Sequence, residues 1–482
     1  MVDDSTFRPV SRREVLSRGS VAGVAVGGPS VGRLGSLGWG DGDGTADGGS
    51  ADADDRQRPV IFVHGVAGSA TQFESQAMRF SSNGYPDEYL ATLEYNSLAY
   101  TGGLFSGGLL SYVLGGGEAT PSAIRDRLDR KIDALRDATG FETVDAIGHS
   151  LGTDVMQSYL SDPQRASKVE HYVNLDGFES DAPPGGVPTL AVWGMSNPDA
   201  SIAGAKNVHF DQSHVQVCTS AATFGVIYPF FTGEQPDTTS IVQEPADEIT
   251  LSGRAQLFPS NESPDDISVD VYAVDPDTGE RTTDGRPLGV GNDGRWGPID
   301  VDGSVPHEFV LSRSNTQQKH HHYRQPEVRS DPFVRLLSAN PGNGVDRFID
   351  KSPDHAALIA LRDKEWWGDQ GTDNDRLEID GTNVARPNLM PQGDRVIAPF
   401  VFDHCSDEKS HLDSPIFPFG PVPFLTGVDL YVPAADPPSD TIHLQSRPRD
   451  GGGTTRSFAI PNWASAIHRV SLYFPDHTHQ RG

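Results

Sequence analysis

Thr143-Val144-Asp145-Ala146-Ile147-Gly148-His149-Ser150-Leu151-Gly152 is the stretch on which the fold turns. Its first half reads as a short buried strand, and its second half is G-x-S-x-G, the signature of a sharp turn from strand into helix. The serine backbone in such a turn is strained and the helix passes close to the strand. Glycines must therefore flank it, and the hydroxyl is left exposed at the edge of the sheet. Ser150 is the candidate nucleophile. Leu151 stands where the next helix begins, so its N–H is free to receive a developing negative charge. Upstream, Thr120-Pro121 supplies a cap and a first-turn proline, Ile124, Leu128, Ile132 and Leu135 recur at helical spacing, and Gly140 stops the helix.

Further upstream, Val60-Ile61-Phe62-Val63 is a continuous apolar run of the kind that fills a parallel strand buried on both faces, and it ends in His64-Gly65. A backbone N–H just beyond it, that of Val66, is the candidate second donor to an oxyanion. A serine hydroxyl also needs a base, and the base an orienting acid, in the chain order Ser, Asp, His. Pro188 to Trp193 reads as one further strand and Lys206 to Phe210 as the last. His214, in the loop after it, is the candidate base. His209 alternates within the strand and reads as a packing histidine. Two acids are available, Asp176 at the end of the strand following the nucleophile helix and Asp199 after the next strand; position alone favours Asp199. Strand, elbow and order together imply an α/β chain, an α/β-hydrolase domain followed by C-terminal all-β structure.

A chain of 482 residues exceeds what one core usually serves. The catalytic domain is expected over 57–238, with an apolar lid at about 95–120, where Gly-rich sequence carries Tyr100, Leu104, Phe105, Leu109 and Leu110. Beyond Phe231-Thr232-Gly233, short alternating runs separated by Gly, Pro and Asp indicate a small β-sandwich over 239–318 and a further β-domain over 319–482. Ile416 to Leu425 is too rich in proline for a central strand, and its aromatics suit a lipid-facing or active-site-facing surface. His320-His321-His322 invites a metal reading, but adjacent strand residues point to opposite faces, and no metal or other cofactor is expected. Cys218 and Cys405 are the two cysteines, and sequence leaves their pairing open.

Acidic residues outnumber basic ones 67 to 38, a formal charge of −29, and lysine occupies only seven positions. Such a surface repels phosphate backbones and excludes nucleic acid as a partner; it suits high salt, where self-repulsion is screened. Ser11-Arg12-Arg13 followed by a Gly/Ala/Val-rich stretch has the form of a twin-arginine export signal, and 1–56 reads as that signal plus a Gly/Asp-rich linker. The expected location is extracellular.

The stretches P-V-I-F-V-H-G-V-A-G-S-A-T-Q-F-E-S-Q (59–76), V-D-A-I-G-H-S-L-G-T (144–153) and F-D-Q-S-H-V-Q-V-C-T-S (210–220) resemble the secreted archaeal lipases that carry a C-terminal β-domain. The similarity continues through His321 to Pro326 and Phe458 to Ala464. The resemblance implies that the acid lies in the L-D-G segment, at Asp176, against the positional preference for Asp199. It also implies that the C-terminal domain helps to bind long acyl chains. The expected activity is a lipase or carboxylesterase acting on lipid or other ester substrates through an acyl-enzyme, with no stable protein partner. An exported polyester depolymerase, and a non-catalytic surface-binding protein on a hydrolase scaffold, are the alternatives.

Overall fold

The computed structural model describes residues 57–100, 120–449, 455–477 and 479–480; the export signal and linker expected over 1–56, and most of the lid, lie outside the described residues. Six strands, β1 (Val60–Val63), β2 (Leu90–Leu93), β3 (Val144–His149), β4 (Val169–Leu175), β5 (Thr189–Trp193) and β6 (Lys206–His209), form one parallel sheet in the order β2-β1-β3-β4-β5-β6. Strands β1, β3 and β5 are buried along their whole length, as their apolar runs require. The helix Pro121–Thr139 begins on Thr120, whose hydroxyl accepts the Ala123 N–H at 3.2 Å, and ends on left-handed Gly140. Its Ile124, Leu128, Ile132 and Leu135 pack on Ile61, Val63 and Ala146 on one face of the sheet. Helices Glu74–Ser82 and Ala221–Thr232 cover the other face through Phe80, Phe224 and Ile227. This is a parallel α/β domain with helices on both faces of its sheet, and the described residues beyond 238 are β-rich.

The later strands are β7 (Ile241–Val242), β8 (Thr250–Leu257), β9 (Ile267–Ala273), β10 (Arg286–Leu288), β11 (Arg295–Asp300), β12 (His307–Arg313), β13 (Lys319–Arg324) and β14 (Asp331–Ser338). They continue with β15 (Leu358–Leu361), β16 (Arg376–Ile379), β17 (Thr382–Asn383), β18 (Ala398–Phe402), β19 (Leu425–Asp429), β20 (Thr441–Arg447), β21 (Arg456–Pro461), β22 (His468–Tyr473) and β23 (His479–Gln480). Eight of them make one sheet, β10-β9-β12-β13-β22-β15-β18-β19, on which smaller sheets β11-β8-β14 and β17-β16-β20-β21 are layered.

The break expected between 318 and 319 is corrected by this topology. β12 and β13 are antiparallel partners from His307↔Arg324 to Leu311↔His320, and β14 runs parallel to β8, so one sheet system crosses that position. Residues 315–318 lie in the turn between β12 and β13. The two faces of the large sheet do different work. Leu358, Val401, Val470 and Leu472 pack with Ile442, Leu444 and Ile460 of the four-stranded sheet, while Phe400, Phe402 and Leu425 point the other way, into a cluster with Val66, Leu98 and Phe258.

Candidate active site

Ser150 sits between β3 and the helix Leu151–Leu160 with φ 51° and ψ −121°, and its N–H donates to Leu175 O at 3.0 Å. This strained conformation is the elbow anticipated from G-x-S-x-G. The glycines are steric necessities: a Cβ on Gly152 would lie 2.2 Å from Val63 O, and one on Gly65 would lie 2.9 Å from Ser150 Cβ.

Asp176 follows β4 directly, also at positive φ, and is 2% exposed. Its Oδ2 accepts His214 Nδ1–H at 2.6 Å, and its Oδ1 accepts Gly194 N–H and Asn197 Nδ2–H, both at 2.8 Å. Burial alone raises the carboxyl pKa, but the hydrogen bond from His214 and the electrostatic pull of its ring, with the Asn197 and Gly194 donors, outweigh it and hold the group below the ordinary carboxylate range. With Nδ1 committed as donor, neutral His214 keeps a lone pair on Nε2. Asp199, the alternative that position alone favours, lies exposed, and the carboxylate at the imidazole is that of Asp176. His209 is exposed and donates from Nε2 to Ala200 O at 3.0 Å.

Sequence reasoning passed over the residues that hold this arrangement. His149 donates Nε2–H to His214 O at 2.9 Å and accepts from Gln72 Nε2 on Nδ1 at 2.8 Å. Burial and the neighbouring His214 depress its pKa to about 3, so the ring is neutral and its tautomer is set by those two partners. On either side of His214, Val215 N–H and Ser213 Oγ–H both donate to Glu365, the former at 2.7 Å. Glu365 is fully buried and comes from the β-rich part of the chain.

The His64-Gly65 loop is braced in the same way. His64 stacks on Tyr95 with ring centroids 4.4 Å apart, donates Nδ1–H to Gly65 O, and accepts from Asn261 Nδ2 at 3.1 Å. Asn261 also donates to Gly68 O at 2.8 Å. Glu94 receives the Ala70 N–H at 3.1 Å and Arg335 Nε–H at 2.7 Å. Local sequence carries no signal for the Asn261 and Arg335 contacts, because those partners stand more than 190 residues from the loop that they brace.

Ser150, His214 and Val66 line a cavity of about 1460 Å³, open mouth included, one wall of which is the eight-stranded sheet. Phe424 stacks on His214 with centroids 6.0 Å apart. The proline-rich run thus divides: Phe424 faces the site, Phe419 is buried, and Phe417 is 74% exposed. Cys218 is buried and Cys405 exposed, both as free thiols.

Residues 247–341 match the family model described as Lipase C-terminal domain, and residues 344–478 match a second model described as a "-like, C-terminal domain". Among solved structures, Aspergillus fumigatus lipase B is similar at 13% identity, over 39% of this chain and 56% of that one, with a TM-score of 0.28. The chain thus spans little more than half of that lipase. Bacillus licheniformis lipase BlEst2, in its propeptide form, is 11% identical over 85% of this chain and 94% of its own, with a TM-score of 0.29. A predicted CIB-like hydrolase from Thermoplasma acidophilum is 14% identical over 38% and 89%, at 0.26. No curated protein matches the chain.

Proposed function

We propose that this chain is an exported carboxylic-ester hydrolase of the lipase or carboxylesterase type, working through Ser150, His214 and Asp176. The observation that carries the reading is the buried 2.6 Å contact between Asp176 Oδ2 and His214 Nδ1, in a cavity shared with a serine held on a strained elbow. His214 Nε2 takes the Ser150 proton as Oγ bonds to the ester carbonyl carbon. The imidazolium is stabilised by Asp176, and the N–H groups of Val66 and Leu151 receive the oxyanion. The proton then passes from His214 to the departing alkoxide as the carbon–oxygen bond breaks, leaving an acyl-serine. Water, deprotonated by the same imidazole, attacks the acyl carbon and releases the acid and Ser150. No cofactor enters the reaction.

The apolar side chains that line the cavity support an acyl group there, and the match to a lipase C-terminal domain supports a lipolytic substrate. The twin-arginine pattern at Arg12-Arg13 supports export. Ser150→Ala is expected to abolish hydrolysis of p-nitrophenyl esters in high salt while leaving the melting temperature unchanged within a few degrees. Ester turnover persisting in that variant would overturn the assignment.

A further inference from the structure

The sheet wall of the cavity that Ser150 lines changes chemistry from one strand to the next. Successive residues of a strand face opposite sides, so only alternate positions line the cavity. On that face β18 presents Phe400, β15 presents Ile359, β22 presents Ser471 and β13 presents His322. These four stand in one cross-sheet row, since Ile359 pairs with Phe400, Ile359 with Ser471, and Ser471 with His322. The row is apolar through its first half and polar through its second.

Most of the charged groups near the polar half already have partners. Arg469 Nε donates to Asp346 at 2.8 Å, Tyr473 donates to Asp363 at 2.9 Å, and Arg324 is held by Glu327, Glu74 and Asp331. His322 and Ser471 do not. They are 5% and 4% exposed, neither side chain has a hydrogen-bond partner among the described residues, and His322 Nε2 is fully buried without one. Burial, with His321 and Arg324 nearby, depresses the His322 pKa to about 3, so the ring is a neutral donor and acceptor. An all-methylene chain leaves such groups unpaired, and a carboxylate brings a second charge beside arginines that are already neutralised. A neutral oxygen satisfies both residues.

We propose that His322 and Ser471 form a polar subsite in the cavity for a hydroxyl borne on the acyl chain away from the scissile carbonyl, making esters of hydroxy-substituted long-chain acids a preferred substrate class. The proposal rests on the ester-hydrolase reading above, in which this cavity takes the acyl group.

The test compares p-nitrophenyl hexadecanoate with its hydroxyhexadecanoate analogues, the hydroxyl placed at positions from mid-chain to the terminus. Wild type is expected to favour at least one hydroxy ester over the plain ester by about tenfold in kcat/KM. Ser471→Ala and His322→Phe are expected to erase that preference while keeping turnover of the plain ester, and His322→Gln to restore part of it. Loss of turnover on every ester by wild type would sink the functional reading instead. The subsite is then scored without catalysis, by the melting temperature of Ser150→Ala with decanediol or decanol, with and without Ser471→Ala. A rise specific to the diol and dependent on Ser471 supports the subsite. Equal response to diol and alcohol, or a hydroxy-ester preference that survives both wall substitutions, overturns it, the two side chains then holding only water.

Discussion

At the scale of single residues, the acid of the site was the one position that two lines of sequence reasoning assigned differently. Placement along the chain pointed to Asp199, while resemblance pointed to Asp176. The geometry brings Asp176 to His214, because β4 and β5 are neighbours and the β5 loop donates Gly194 and Asn197 to the same carboxylate. Asp176→Asn is expected to lower kcat by about 10⁴-fold, since an amide in that place disfavours the Nδ1–H tautomer of His214. Asp199→Asn, at the surface, is expected to leave kcat and KM unchanged. Steady-state kinetics on a long-chain p-nitrophenyl ester measure both, and equal losses in the two variants would contradict the assignment. His149 was legible only as the variable residue of G-x-S-x-G. Its hydrogen bond to His214 O depends on a loop more than sixty residues away.

At the scale of elements, the elbow was the most legible feature of the chain, because its constraints are local. Strand, glycines, serine and helix follow one another without a gap, and the close approach of the helix to β1 is what Gly152 serves. Gly152→Ala is expected to destabilise the fold by roughly 3 kcal/mol through overpacking against Val63 O, read as a lower denaturation midpoint in urea. The loop carrying His214 is a different case, since its support arrives from another part of the chain. Glu365→Ala leaves Val215 N–H unpaired, at a cost of about 1–3 kcal/mol, and leaves Ser213 Oγ–H only its longer contact to Gln216 Oε1 at 3.3 Å. The loop is then expected to lose its register, with kcat falling about tenfold or more and KM little changed. Glu365→Gln, which keeps one carbonyl acceptor for Val215, is expected to recover much of the loss. A KM effect alone, or no recovery by Gln, would mean that Glu365 serves folding rather than the position of His214.

At the scale of the whole molecule, the buried pairs Glu94–Arg335 and Glu74–Arg324 join the α/β part of the chain to the β-rich part, and they tie stability to pH in opposite directions. Burial by itself raises the Glu94 pKa, but Arg335 and His64 outweigh it and hold the group at about 2, against 4.5 for an ordinary glutamate. The unfolded chain therefore takes up this proton first as pH falls. The stability contributed by Glu94 is complete above about pH 4.5 and is lost on acidification toward 2. Glu74 behaves in the reverse sense. Burial raises it to about 7, with Arg324 offsetting only part of the shift, so its contribution is complete below about 4.5 and is lost as pH rises through 7. Thermal unfolding across pH is expected to show a mildly acidic optimum, with Glu94→Gln flattening the acid limb and Glu74→Gln the alkaline limb. Limbs unchanged in both variants would rule out these two groups as the source.

Sequence alone determined what is encoded within a few consecutive residues: the strand–serine–helix turn, the His64-Gly65 strand end, the capped helix before β3, and a change from α/β to β-rich structure after Gly233. Each follows from backbone sterics, or from a period of 2 or 3.6 in apolar residues, and needs no knowledge of the rest of the chain. Only the tertiary structure decided between Asp176 and Asp199, carried one sheet through residue 318, and seated Glu365 and Asn261 beneath the two loops of the site. The same holds for the row Phe400, Ile359, Ser471 and His322. Those choices depend on which strands become neighbours, and strand order is set by packing of whole faces against one another, where residues far apart in the chain meet.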